Sequence, residues 1–154
     1  MPKIVSSIIE VCIFKFEADR AQYLLLQRTM REKVYPGTWQ FVTGSIEEGE
    51  RANQSALREL LEETGLQPSA FWVVPYISSF YEHRSDTIHL CPMFAAQVRA
   101  GDQPVLSTEH DAYEWCDLEA ARRRLVWPGQ REGLRIVHEY IVRGEKAGEI
   151  TQIL

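Results

Sequence analysis

The sequence predicts an α/β domain in which a mixed β-sheet packs between helices. Three observations carry that reading. Runs rich in β-branched and aromatic residues recur along the chain, from "IIEVCIFKF" to "AYEWC". Helical patterns at 50–64 and after Pro128 are interspersed among those runs and not grouped at one end. The chain has 154 residues, 45% hydrophobic and 25% charged, which suffices for one core and carries no compositional sign of disorder. Residues 1–154 are therefore expected to form a single domain.

The elements follow in order. Ile4–Phe16 reads as a central strand, Glu17–Arg20 as a turn and Gln22–Arg28 as the hairpin partner. Thr29–Gly37 is a polar loop closed by Pro-Gly, and Thr38–Gly44 is a short strand ending at glycine. Glu50–Thr64 reads as a helix stopped by Gly65, which suits a left-handed cap. Strands are expected at Phe71–Phe80 and Thr87–Val98, then a loop over Ala100–Asp111 and a short strand at Ala112–Cys116. Asp117 suits the N-cap of a helix through Arg123. Pro128 can open a last helix with Leu134, Val137 and Ile141 as its apolar face and Gly144 as its end. The tail Glu145–Leu154 is expected to be loose.

Composition narrows the function. A net charge of −5 argues against a nucleic-acid-binding protein, which needs basic patches to neutralise phosphates. It leaves room for a small phosphorylated substrate, because a bound metal reverses the local field. Three cysteines, Cys12, Cys91 and Cys116, lie far apart, form no C-x-x-C and read as reduced core residues of a cytoplasmic protein. The apolar N-terminus is broken by Glu10 and Lys15, so it reads as a buried strand and not a signal peptide. No apolar run approaches the roughly 20 residues of a membrane span.

The helix at 50–64 sets the central question. Successive helical residues turn by about 100°, so Glu59, Glu62 and Glu63 share one arc. Ala56, Leu57, Leu60 and Leu61 fall on the neighbouring arc and are expected to face the core. Like charges at this spacing repel by a few tenths of a kcal/mol, and carboxylates near a helix C-terminus oppose the macrodipole. Arg58 can relieve Glu62 one turn on, but not all three. Hard divalent cations favour clustered carboxylate oxygens, and Mg²⁺ in particular binds through a few carboxylates together with substrate phosphates. A solvated acidic face is the alternative.

The spacing Gly44-x5-Glu50-x7-Arg58-Glu59-Leu60-x-Glu62-Glu63-x-Gly65-Leu66 resembles the Nudix box at every defined position. That resemblance implies a Nudix-type α/β/α sandwich and a hydrolase that cleaves a nucleoside diphosphate linked to another group, using Mg²⁺ or Mn²⁺. It implies Glu59, Glu62 and Glu63 as helix metal ligands and the Gly44 carbonyl as a further one. Glu59 would also orient or deprotonate the attacking water, Glu50 would make outer contacts, and Arg58 would hold the glutamates in place.

Two longer strings resemble the dihydroneopterin triphosphate pyrophosphatase group: "WQFVTGSIEEGE" at 39–50 and "TEHDAYEW" at 108–115. In that group the glutamate after the threonine completes the metal site, which implies Glu109 as a fourth carboxylate; an ordinary exposed acid is the alternative. His110 reads as structural. Groups acting on dNTPs carry similar strings, so a pterin and a nucleoside triphosphate both stay open as substrate.

A flat heterocycle needs an apolar slot with a few polar edges. Trp39 and Phe41, with Tyr35 and Trp127, can supply one, or can belong to the core. Arg28, and also Arg31, Lys33 and Arg84, can meet terminal phosphates or be plain surface charge. The expected protein is thus a Mg²⁺-dependent pyrophosphohydrolase of a nucleoside or pterin triphosphate. It would work as a monomer or homodimer, without a nucleic-acid or membrane partner. The rivals are a Nudix hydrolase of dinucleoside polyphosphates, nucleoside diphosphate sugars or capped ends, and a non-catalytic Nudix-fold sensor.

Overall fold

A computed structural model describes all 154 residues. Eight strands form one mixed sheet: β1 Lys3–Val5, β2 Ile8–Glu17, β3 Arg20–Arg28, β4 Trp39–Gln40, β5 Val42–Ser45, β6 Ala70–Glu82, β7 Thr87–Gln97 and β8 His110–Cys116. The helices are α1 Ala52–Thr64, α2 Leu118–Arg124, α3 Pro128–Ile136 and α4 Lys146–Thr151. A wider π-type turn, Val137–Val142, continues α3. No helix is long and apolar enough to cross a membrane.

Strand β2 organises the sheet. It runs parallel to β7 from Glu10↔Met93 to Phe14↔Gln97. On its other side it pairs antiparallel with two partners in succession, β5 over Ile8–Val11 and β3 over Phe14–Glu17. The sheet therefore splits beside β2, and β4 and β5 carry the chain across the split. The expected strand Ile4–Phe16 is two strands, β1 and β2, with β1 parallel to β7 at Lys3↔Thr87.

Alternation along β2 sends Ile9, Val11 and Ile13 to one face and Cys12 and Phe14 to the other. The first face packs under α1, against Ala56 and Leu60, with Leu24, Leu26 and Val42. The second packs under α2, α3 and the π turn, through Ala121, Leu134, Val137 and Ile141. Helices thus cover both faces, the expected α/β/α sandwich. All three cysteines are free and buried.

Two expectations are corrected. The tail is not loose: Ile153 N–H donates to the Phe71 carbonyl at 2.7 Å, and Phe71 N–H donates to the Leu154 carbonyl at 3.0 Å. The tail thereby covers one end of the otherwise unpaired edge of β6, and α4 packs against the π turn. The buried face of α1 is also rotated from the expected one. It consists of Ser55, Ala56, Glu59, Leu60, Glu63 and Thr64, whereas Leu61 is exposed. Leu57 is only partly buried against this core, and Glu59 and Glu63 are buried on the face that Leu61 does not share.

Candidate active site

Helix α1 is anchored at both ends. Its start is closed by Arg51 N–H donating to Gln54 Oε1 at 2.9 Å. Gly65, at φ +67°, ends it in the left-handed conformation and donates its N–H to the Leu61 carbonyl. Its middle lies against β5 so closely that a Cβ on Gly44 would overlap the Glu59 carboxyl. A residue without a side chain at position 44 therefore lets Glu59 reach the strand backbone.

Arg58 organises the acids around this contact. Its Nε and Nη2 donate to the two oxygens of Glu50 at 2.8 and 2.9 Å. Nη1 donates to Glu59 at 2.9 Å and to Glu62 at 3.2 Å, and Nη2 also donates to the Ser45 carbonyl at 2.9 Å. Hydrogen bonding to Arg58 holds the Glu50 carboxyl down at about 2. Burial pushes Glu59 up; Arg58 opposes the shift, while the charges of Glu62 and Glu63 add to it.

Glu63 belongs to a second network. Burial alone would raise its carboxyl, but hydrogen bonds from His110 and Ser107 outweigh that cost and hold it low. Ser107 Oγ donates to Glu63 at 2.8 Å, and His110 Nδ1 lies 3.1 Å from the same oxygen. An ionised carboxylate only accepts, so Nδ1 carries the proton. The other ring nitrogen then accepts from the Gln40 amide, 3.5 Å away. His110 is buried and positions Glu63, the structural role read from the sequence.

The same contacts dock the loop before β8. Val105 N–H donates to the Thr64 carbonyl at 2.8 Å, and Thr29 N–H donates to the Glu109 carbonyl at 3.1 Å. Glu109 is exposed at the edge of this cluster, and burial of its carboxyl together with the charge of Glu63 raises it. Gly44, Glu59, Glu62, Glu63 and Glu109 thus come into one region, although the last is remote in sequence.

As placed, no three acidic, imidazole or thiol side chains converge on one point that would hold an ion. The reason is visible in the hydrogen bonds: Arg58 draws Glu59 and Glu62 toward Glu50, while Ser107 and His110 hold Glu63. The donors still suit a hard divalent cation. All are oxygens, and Glu59 is a buried acid crowded by like charges that a cation would relieve.

The expected substrate contacts divide. Phe41 is fully buried among Cys12, Phe14 and Leu125, and its N–H donates to Gln130 Oε1, so it is a core residue and not a slot wall. Its place at the break between β4 and β5, with its N–H held by Gln130 of α3, decides this. Trp39 is half-buried, with the Arg124 guanidinium 5.1 Å from its ring centre. Tyr35 and Trp127 meet edge to face at 4.7 Å, and Tyr35 stays exposed. Arg28 is committed within its own loop, to the Val34 carbonyl at 3.0 Å and to Glu32 at 3.2 Å. Arg84 lies in the turn between β6 and β7. Ser107 and Gln40 were not singled out from the sequence; Ser107 directly precedes the "TEH" string, and Gln40 lies within "WQ", which was their only signal.

Residues 7–136 match the family model described as NUDIX domain. The chain is 34% identical over 134 residues to an octanoyltransferase of Myxococcus xanthus, an alignment covering 82% of this chain but only 35% of that protein. It is 29% identical over 130 residues to the dihydroneopterin triphosphate diphosphatase of Escherichia coli K12, covering 77% of this chain and 84% of that one. The solved structure of the E. coli dihydroneopterin triphosphate pyrophosphohydrolase superposes with a TM-score of 0.69 at 26% identity, covering 91% of this chain and 99% of that one. A C. elegans Ap4A hydrolase structure gives 0.75 at 22% identity, over 90% and 99%, a likeness of fold alone.

Proposed function

The chain belongs to the Nudix family of hydrolases, which act on phosphoric anhydrides, and from that premise we propose a Mg²⁺-dependent pyrophosphohydrolase. Its substrate is a nucleoside or pterin nucleoside triphosphate, cleaved to the monophosphate and pyrophosphate. The observation that carries this reading is that Arg58 holds Glu59 and Glu62 beside Gly44, while Ser107 and His110 fix Glu63 on the same helix face and the Glu109 loop docks there. Similarity to the E. coli dihydroneopterin triphosphate diphosphatase over most of both chains supports the triphosphate.

Glu59, Glu62, Glu63, Glu109 and the Gly44 carbonyl would hold the cation. When bound, Mg²⁺ or Mn²⁺ neutralises phosphate oxygens and lowers the pKa of water. The protein's own groups do the rest. Hydrolysis joins a water oxygen to phosphorus and breaks the bridging P–O bond, whose electron pair leaves with the bridging oxygen. Glu59 orients that water or accepts its proton. Arg58 keeps Glu59 and Glu62 in register, and the Gln40–His110–Glu63 chain fixes the third carboxylate. Tyr35, Trp127 and Trp39 supply aromatic surface for a flat heterocycle. The enzyme works in the cytoplasm on a small molecule, as a monomer or homodimer, without nucleic acid.

The test is a panel of dihydroneopterin triphosphate, the four dNTPs, Ap4A and a nucleoside diphosphate sugar, each with Mg²⁺. Pyrophosphate released from a triphosphate is the expected result. Turnover of Ap4A or the sugar nucleotide alone would overturn the substrate class.

A further inference from the structure

We propose that Arg31 and Lys33 form a clamp for the two outer phosphates of the substrate, in a cleft that adjoins Glu109. The assignment deepens the triphosphate reading above: it says where the pyrophosphate half of the substrate lies.

The last residue of β3 and the loop that follows it carry four charged side chains: Arg28, then Arg31, Glu32 and Lys33. They line a cleft of about 630 Å³ together with Thr29, Val34 and Thr108. Arg28 and Glu32 form an ion pair at 3.2 Å, and Arg28 Nε also holds the Val34 carbonyl. Those contacts shape the loop from within. Arg31 and Lys33 take part in no ion pair and are exposed. The cleft therefore presents two uncommitted cations, in a chain whose net charge is −5.

Their position gives the charge a purpose. Thr29 N–H is bonded to the Glu109 carbonyl, so the loop and the acidic region are joined directly. Thr108 lines the cleft and precedes Glu109. The Arg31 N–H donates to Thr29 Oγ1 at 3.2 Å, which sets where its side chain leaves the backbone. A phosphate chain running from the carboxylates toward this loop passes from an acidic region that needs cations to a cationic one. A guanidinium engages phosphate oxygens two at a time, whereas an ammonium acts as a point charge, so the pair suits a diphosphate with several terminal oxygens. A diphosphate-linked sugar has no free terminal phosphate to place there.

The probe is inorganic pyrophosphate with Mg²⁺, titrated calorimetrically into the full chain. Wild type is expected to bind, and the Arg31→Ala/Lys33→Ala double variant to bind at least about 10-fold more weakly, the loss of one or two charge-assisted contacts. Arg122→Ala/Arg123→Ala removes the same charge from α2 and is expected to match wild type. Both pairs are exposed, so circular dichroism and thermal melts should be unchanged. No binding by wild type, equal binding by the double variant, or equal loss in the α2 control would each overturn the clamp. With a triphosphate as substrate, the double variant should raise KM with little change in kcat, and weaken binding of the corresponding diphosphate, which lacks the outermost phosphate, to a smaller degree. Pyrophosphate binding that depends on the clamp, without triphosphate turnover, would overturn the proposed activity and leave the clamp standing.

Discussion

Arg58 and Glu50 are joined by two parallel hydrogen bonds, Nε to one carboxylate oxygen at 2.8 Å and Nη2 to the other at 2.9 Å. This forked pair fixes the guanidinium plane, and the remaining donors of Arg58 then reach Glu59, Glu62 and the Ser45 carbonyl. Lysine cannot reproduce that fork. Arg58→Lys is expected to lower kcat by about 10-fold or more, on the scale of losing an oriented electrostatic contact. It should also release Glu50 from its low value near 2 toward 4.5, the ordinary one. Carboxylate titration by NMR of wild type and variant checks the second point; an unmoved Glu50 would show that the fork is not its cause. The sign follows for stability: the Glu50 contribution is complete above about pH 4.5 and is lost as pH falls through about 2.

Glu62 has an exposed side chain whose hydrogen bond is with Arg58. Glu62→Gln should therefore leave the melting temperature nearly unchanged while reducing turnover by about 100-fold or more, the range for removing a preorganised electrostatic group. Steady-state kinetics with Mg²⁺ and a thermal melt decide it. Near-normal activity would mean that this carboxylate holds no metal.

Gly44→Ala puts a methyl group where the Glu59 carboxyl lies. The overlap is expected to cost about 1–3 kcal/mol of stability and to push Glu59 off the strand. Manganese affinity and activity should fall together. Unaltered manganese titration in a folded Gly44→Ala protein would remove position 44 from the site.

Glu10 is 5% exposed, and its Oε2 has no hydrogen-bond partner. Burial raises its carboxyl, and Gln130 and Ser78 offset only part of the shift. The folded chain thus holds this proton more tightly than the unfolded chain does. The associated stability is full below about pH 4.5 and is lost as pH rises through the raised value. Glu10→Gln should therefore be more stable than wild type at pH 8, by about 1–3 kcal/mol, with the gain shrinking toward pH 4.5. Denaturant unfolding at the two pH values tests this; a pH-independent difference would contradict it.

Deleting residues 146–154 removes the bonds between Phe71 and the last two residues and uncovers that end of β6. A loss of about 2 kcal/mol is expected from those hydrogen bonds alone, together with greater aggregation from the exposed strand edge. A shortened chain with an unchanged melting curve would show that the tail contributes nothing.

Much of the fold was legible because its signals are local. Gly65 and Pro128 marked real helix boundaries, and Asp117 caps α2 by accepting from Ala120 N–H. The tail misled because Glu145–Leu154 is short and polar at its start, while its order comes from backbone bonds to Phe71, far away in sequence. Phe41 misled because it sits at the break between two strands of two and four residues, where no alternation assigns a face.

The sequence by itself determined that Glu59, Glu62 and Glu63 share one side of a helix entered from Gly44, because helical geometry depends only on spacing between neighbours. Only the tertiary structure decided that Glu59 and Glu63 are buried while Leu61 is not, that Arg58 binds three acids at once, and that a loop 44 residues downstream brings Ser107 to Glu63. Those outcomes depend on which elements pack together across the sheet, and no local period encodes that.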